Sequence, residues 1–361
     1  MSIKNLFKNN KTVEAPKTNA NGTIEVESQE EKKEKTLKAF GRQKLLGNLL
    51  PFVGLVVLFV FYSFIVLNEG YLYEDALWAT FDRGVYVAIM AIGASFLFTL
   101  GQFDLSLGSA MGLSAATALL VYRGTGNLGL TIVVCLLTAI IVSVLNIVFS
   151  SILRVPIFIM SIAMMTVLQK VILGLISAFS SSGESSINLS PNPFNDTFMY
   201  TKWFRLVILI AYFVICFIIF RYLKFGRKAK FLGGNPFCAR LTGISPRTNS
   251  IIAFLICAIG VGLTALTFVA ETPIVTSATG TTYGMDIMVA IVIGGMPMSG
   301  GARSKITASV CGAFTLAFLE AVLRAFPETS GEGMIQIVKA VLFIVLVFMS
   351  SWSYRGKTLP R

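Results

Sequence analysis

Asp104 lies in the run Leu100-Gly101-Gln102-Phe103-Asp104-Leu105-Ser106-Leu107-Gly108-Ser109, a carboxylate among glycines and hydroxyls between two apolar stretches. A charge facing lipid is costly, so Asp104 must face protein or water. Glycine-interrupted apolar segments mark broken helices and solute or ion sites inside membranes. Two readings can coexist: Asp104, Ser106 and the distant Asn146 organise a polar pathway, or Asp104 N-caps a helix starting near Leu105. Gln169, Lys170 and Asp286 also interrupt apolar runs and could line a pathway. Lys170 and Asp286 could instead snorkel from span ends. The Gly108–Gly112 spacing fits close helix packing.

A second interruption is Ile293-Gly294-Gly295-Met296-Pro297-Met298-Ser299-Gly300-Gly301-Ala302-Arg303-Ser304-Lys305. It lacks the spacing and the preceding strand of a phosphate-binding loop. Its glycines allow a tight turn or a recessed loop at a pore, and Arg303 and Lys305 put its end at the cytoplasmic surface. A third feature runs from Phe231 to Ile244. Asn235 can cap a short helix with Pro236 at its first position, and Gly243 can end it. Such a helix is a knob for a partner's groove; the alternative is a surface connector held inside by its charges. The five cysteines form no CxxC pair and there is no His. No metal site and no catalytic residue is therefore expected.

The elements that carry these features are apolar. Of the residues, 55% are hydrophobic and only 13% are charged, against roughly 25% charged in soluble domains. Apolar segments fall at about 45–67, 84–100, 108–122, 128–150, 157–179, 204–222, 248–269, 286–297, 303–323 and 334–352. A straight span needs about 20 residues, so 84–100, 108–122 and 286–297 are short, and all three flank the glycine-rich breaks. The expectation is an all-α polytopic membrane protein of ten transmembrane helices. Its domains are a polar N-terminal tail over 1–44, a membrane domain over 45–352 and a C-terminal tail over 353–361.

Charge sets the topology. Ten Lys and Arg residues fall within 1–44, seven between Arg221 and Arg247 with no acid, and Arg355, Lys357 and Arg361 close the chain. By contrast, 68–82 carries Glu69, Glu74, Asp75 and Asp82 with no base. Ten spans put all three basic stretches, and both termini, in the cytoplasm. They put 68–82, 180–203, 270–285 and 324–333 outside, with room for a short interfacial helix around Asn195 to Tyr200. The net charge of +12 then reflects topology and docking, and no nucleic-acid partner is expected.

In these motifs the sequence resembles the monosaccharide (ribose/xylose/galactose-type) permeases of bacterial ABC importers. The resemblance rests on Gly101 to Ser109, matching a G-x-DLS-x-GS signature, on Gly233 to Ile244, matching a basic cytoplasmic loop, and on Val292 to Gly301, matching a VIGG-x-x-x-x-GG segment. Val155-Pro156-Ile157-Phe158-Ile159 is a weaker match. The resemblance implies a type II ABC importer-like fold in a bacterial inner membrane. It implies a second permease subunit, most simply an identical one, and an extracytoplasmic solute-binding protein. It also implies an ATPase subunit that binds ATP and Mg, leaving no cofactor on this chain. Asp104, Ser106 and Asn146 would organise the substrate pathway, which should be weakly polar. Gly101, Gly108, Gly294, Gly295, Gly300 and Gly301 would form pathway or gating loops, and Asn235, Ala239, Arg240 and Gly243 would dock the ATPase. The alternatives are a nucleoside or other small polar solute, or an ion-coupled secondary transporter with Asp104 as its buried ionisable group.

Overall fold

The computed structural model describes residues 52–65, 73–179, 185–195, 197–326 and 331–355. The tails expected over 1–44 and, beyond Arg355, at the C-terminus lie outside these residues, as do 45–51 and 68–72. Where it is described, each of the ten apolar segments lies largely on a helix. The helices are α1 (Phe52–Ile65), α2 (Tyr73–Thr99), α3 (Leu107–Thr125), α4 (Leu128–Leu153), α5 (Ile157–Phe179), α6 (Lys202–Arg221), α9 (Pro246–Glu271), α10 (Tyr283–Ile293), α11 (Ile306–Ala325) and α12 (Glu332–Arg355). Two more, α7 (Lys224–Gly234) and α8 (Pro236–Leu241), occupy the basic stretch. Six helices, α2, α4, α5, α6, α9 and α11, are long and apolar enough to cross a membrane; α1 and α10 are apolar but shorter.

Two expectations are corrected here. The segment read as short at 84–100 is a helix of 27 residues that begins at Tyr73. The chain from Tyr73 to Asp82 contains no Gly or Pro to break it, and Asp75 complements the positive helix start. Its polar residues are not in a loop either, since Asp82 is 7% exposed and paired inside the fold. The stretch Lys224–Gly234, read as loop, is a helix seated by Gly226 against the Phe220 carbonyl and by Lys230 stacked 4.2 Å over the Phe220 ring. Burial, with Arg221 nearby, lowers the Lys230 pKa.

Burial sorts the helices into centre and rim. In α2, 89% of the apolar window is buried, against 28% to 33% in α4, α5 and α6. Thus α2 is the central post, packed by α9, α11, α10 and α6. The outer helices turn large apolar side chains such as Ile152, Trp203, Val207 and Ile344 outward, as lipid or a partner helix requires. A small antiparallel ribbon joins β1 (Ser186–Asn188) to β2 (Ile274–Thr276) in the register Ser186↔Thr276, Ile187↔Val275 and Asn188↔Ile274. It ties the 180–203 and 270–285 connections together at one end of the helices. Where a short interfacial helix was expected near 195–200, one turn of 3-10 helix, Phe198–Tyr200, is present.

The short helix α10 controls the interior. Eleven residues span about 16 Å, roughly half of a bilayer core. Its start packs against the start of α3: a Cβ on Gly108 would overlap the Gly280 carbonyl oxygen, and one on Gly284 would overlap that of Leu105. Two helix N-termini therefore meet inside the fold, each presenting free N–H groups and a positive dipole end. On its other side α10 lies against α11, where Gly312 leaves no room for a side chain beside the Ala290 carbonyl.

Candidate functional site

The break after α2 begins with Gly101, whose φ of +72° reverses the chain at low cost. Gln102 N–H then donates back to the Leu97 carbonyl at 2.9 Å. Asp104 lies within the loop and Ser106 occupies the residue before α3. Asp104 is therefore not the N-cap of a helix starting near Leu105. Its Oδ1 accepts from the Ser106 N–H at 2.7 Å and the Ser106 hydroxyl at 2.6 Å, and its Oδ2 accepts from Asn146 Nδ2 at 2.9 Å. Asn146 Nδ2 also reaches Ser106 Oγ at 3.2 Å, and the Leu105 N–H donates to Ser161 Oγ on α5 at 3.1 Å. The three expected pathway residues are thus brought together, at 4%, 2% and 0% exposure.

A carboxylate buried this deeply survives because each oxygen is hydrogen-bonded. All its donors are neutral, and among the described residues no ion pair involves Asp104. The network binds the loop to α4 and α5 rather than presenting the charge to a cavity. Asn146 Oδ1 and Ser109 Oγ remain buried without a partner among the described residues, the kind of site that ordered water fills.

A cavity opens one step away, at Gln102. Gln102 Nε2 donates to Ser250 Oγ on α9 at 2.7 Å. Both residues line a groove of about 620 Å³ between the end of α4, the start of α5 and the start of α9. Its polar groups are Gln102, Ser151, Arg247 and Ser250, and its walls include Ile147 and Phe254. Sequence reasoning missed this pair. Gln102 was visible as a polar residue in the break, but nothing in the α9 sequence singles out Ser250.

The glycine-rich features meet at the end of α2. The Gly301 N–H donates to the Thr99 carbonyl at 2.9 Å, and Gly300 and Gly301 have φ of +69° and +86°. A Cβ on Gly233 would overlap the same Thr99 carbonyl, and one on Gly301 would lie 3.0 Å from Gly234 Cα. Gly101, Gly300 and Gly301 therefore share one junction with the end of α7. Gly294 packs elsewhere, against the Ala308 carbonyl, and Gly108 at the α3–α10 meeting. Gly295, at φ +84°, turns the chain out of α10.

From this junction α8 projects. Asn235 Oδ1 accepts from the Cys238 N–H at 3.0 Å and Pro236 takes the first position. Gly243, at φ +78°, follows it, and the Ile244 N–H returns to the Ala239 carbonyl at 3.0 Å. Ala239 is fully buried, whereas Phe237 and Leu241 are 72% and 73% exposed. Arg240 is also exposed. One small residue anchors the helix, and two large apolar ones face away.

A separate charged cluster was only partly foreseen. Asp286 is 3% exposed and does not snorkel; Lys339 Nζ on α12 lies 2.5 Å from its Oδ1 and 2.9 Å from Glu320 Oε1 on α11. Arg83 Nη1 on α2 reaches Glu320 Oε2 at 3.3 Å. Beside it, Arg205 on α6 pairs with Asp82 at 3.1 Å and with Glu271, which also accepts from the Tyr86 hydroxyl. The adjacent residues Asp82 and Arg83 thus join α2 to both groups.

The chain matches the family described as "Branched-chain amino acid transport system / permease component" over residues 79–350. It is 26% identical to the ribose import permease protein RbsC of Escherichia coli over 73% of this chain and 82% of that protein. It is 23% identical to the RbsC of Bacillus subtilis over 84% and 93%. It is 24% identical to the galactofuranose transporter permease protein YtfT of Escherichia coli over 80% and 82%. No solved structure is significantly similar to it.

Proposed function

The chain belongs to the branched-chain amino acid transport system permease family, and from that premise we propose that it is the membrane-spanning subunit of an importer for a monosaccharide. It is a permease component of the ABC type, with ATP hydrolysis on a separate partner. Its relatives' names point to ribose and galactofuranose, and a sugar suits the groove beside Gln102 and Ser250. Hydroxyls can exchange hydrogen bonds with a few polar groups while apolar walls take the C–H faces. The walls are weakly polar, so solute would be held loosely, as passage requires.

The observation that carries this reading is α8. It is a capped helix with two exposed apolar side chains in a basic stretch, and it abuts the glycine junction at the end of α2. A cytoplasmic ATPase groove would take Phe237 and Leu241, with Arg240 and Gly243 at the contact edge. Rocking of that contact would reach α2 through the Gly233–Thr99 approach, and the Asp104–Ser106–Asn146 network would keep the following loop in register. In this proposal there are ten spans with both ends in the cytoplasm of a bacterial cell, and two permease copies form one path. The β1–β2 ribbon, at the end opposite α8, would lie under a solute-binding protein.

The test is reconstitution of the permease with its ATPase and binding protein in vesicles, followed by uptake of labelled ribose and related sugars. ATP-dependent uptake that is lost with Phe237→Ala supports the reading. Uptake driven by an ion gradient without the ATPase would overturn it.

A further inference from the structure

A groove of about 520 Å³ lies between α1, α2, α6 and α11, and among the described residues every side chain lining it is apolar. Its walls include Phe59, Trp78, Phe81, Leu206 and Phe314. At one end stands Lys202, the first residue of α6. Leu206 is one helical turn further on, so both residues share a face. The Lys202 ammonium rests 5.1 Å from the Trp78 ring centroid, and the neighbouring Trp203 is 68% exposed. Two tryptophans and a lysine at one level are the residues that settle at a membrane–water interface.

Lys202 has no ion-pair partner among the described residues. The nearby Asp82 is already engaged by Arg205 at 3.1 Å. A cation is thus left against Trp78, at the edge of an apolar slot.

We infer that this groove is a binding site for one anionic phospholipid. An acyl chain would lie along Phe59, Phe81 and Phe314, and the phosphate would sit on Lys202. The charge complementarity of the unpaired Lys202 beside an apolar groove selects this occupant over a second protein chain.

Native mass spectrometry of the purified full-length chain, delipidated in detergent, tests the inference. The probes are palmitoyl-oleoyl phosphatidylglycerol and the phosphatidylcholine with the same chains. The expected result is one retained lipid, with phosphatidylglycerol preferred by about fivefold, the equivalent of ~1 kcal/mol per basic residue near an anionic surface. Lys202→Gln should bring the ratio near one and leave phosphatidylcholine binding unchanged. Because Lys202 is exposed, that variant should fold and carries the test alone; Leu206→Trp, which fills the groove, should weaken both lipids. Equal affinities in the native chain, or a preference that survives Lys202→Gln, overturn the inference. So does a failure to retain lipid while a cysteine at Phe59 crosslinks two copies.

Discussion

Replacing Lys339 by Met keeps the length of the side chain and removes the cation between Asp286 and Glu320. The two carboxylates do not lose equally. Glu320 keeps Arg83 at 3.3 Å, while among the described residues Asp286 has no other ion-pair partner. Removing one member of a buried pair costs about 3–5 kcal/mol, because the charge left behind stays desolvated. A cavity of about 70 Å³, lined by Arg83, Tyr283, Gln336 and others, adjoins the cluster and can admit water to Asp286. The expected cost is therefore near the low end, about 3 kcal/mol, seen as a lowered midpoint in denaturant unfolding of the purified protein. The asymmetry gives the sharper forecast. Asp286→Asn with Lys339→Met should recover most of the loss, and Glu320→Gln with Lys339→Met clearly less. Lys339→Met as stable as the native chain, or the two double variants recovering equally, would falsify the reasoning.

Asn146→Leu should remove the donor to Asp104 Oδ2 at similar volume and destabilise by about 1.5–3 kcal/mol, read in the same unfolding assay; Asn146→Leu with Asp104→Leu should cost less than the sum of the two. Gly312→Ala should force α10 and α11 apart and cost about 1–3 kcal/mol, whereas Gly124→Ala, where a Cβ meets nothing within 4 Å, should be neutral or slightly stabilising. Phe237→Ala and Leu241→Ala should leave the unfolding midpoint unchanged and lower co-purification of the ATPase at least tenfold; Gly243→Val, at φ +78°, should strain the end of α8 and do likewise. Gly233→Ala should separate α7 from the Thr99 carbonyl, so the ATPase still binds but loaded binding protein no longer stimulates hydrolysis; normal stimulation would remove the junction from the coupling route.

What the sequence revealed was local. The apolar segments were legible because lipid demands uninterrupted apolar length, and α8 because Asn235, Pro236 and Gly243 act within one or two turns of themselves. The start of α2 was not, because polar residues at a helix end look like loop until their partners are known. Asp82 needs Arg205, a residue 123 positions later (205 − 82). The cluster around Lys339 lies between these cases. Asp286, Glu320 and Lys339 interrupt three successive apolar segments with opposite charges, and the cost of a lone charge in lipid already requires them to pair. Pairing them in the sequence would have placed α12 against α10 and α11.

Glycines are the hardest features to assign from sequence, because each marks a close approach without naming what approaches. Gly108 was visible as half of a close-packing step, but its partner is the Gly280 carbonyl in a loop between two later elements. That contact makes α10 a half-length helix whose start meets α3, and no periodicity within α10 encodes it. The same holds at Gly233, Gly300 and Gly301, where backbone touches backbone at the end of α2. Side chains between elements can change rotamer and absorb a displacement; bare backbone contacts cannot. A push on α8 would then reach Thr99 with little slack, and the residues that follow Thr99 are those that hold Asp104 and Gln102 in place. The two glycine-rich breaks and the basic stretch, separate in the sequence, then form one mechanical unit, with the groove beside Gln102 and Ser250 at its edge.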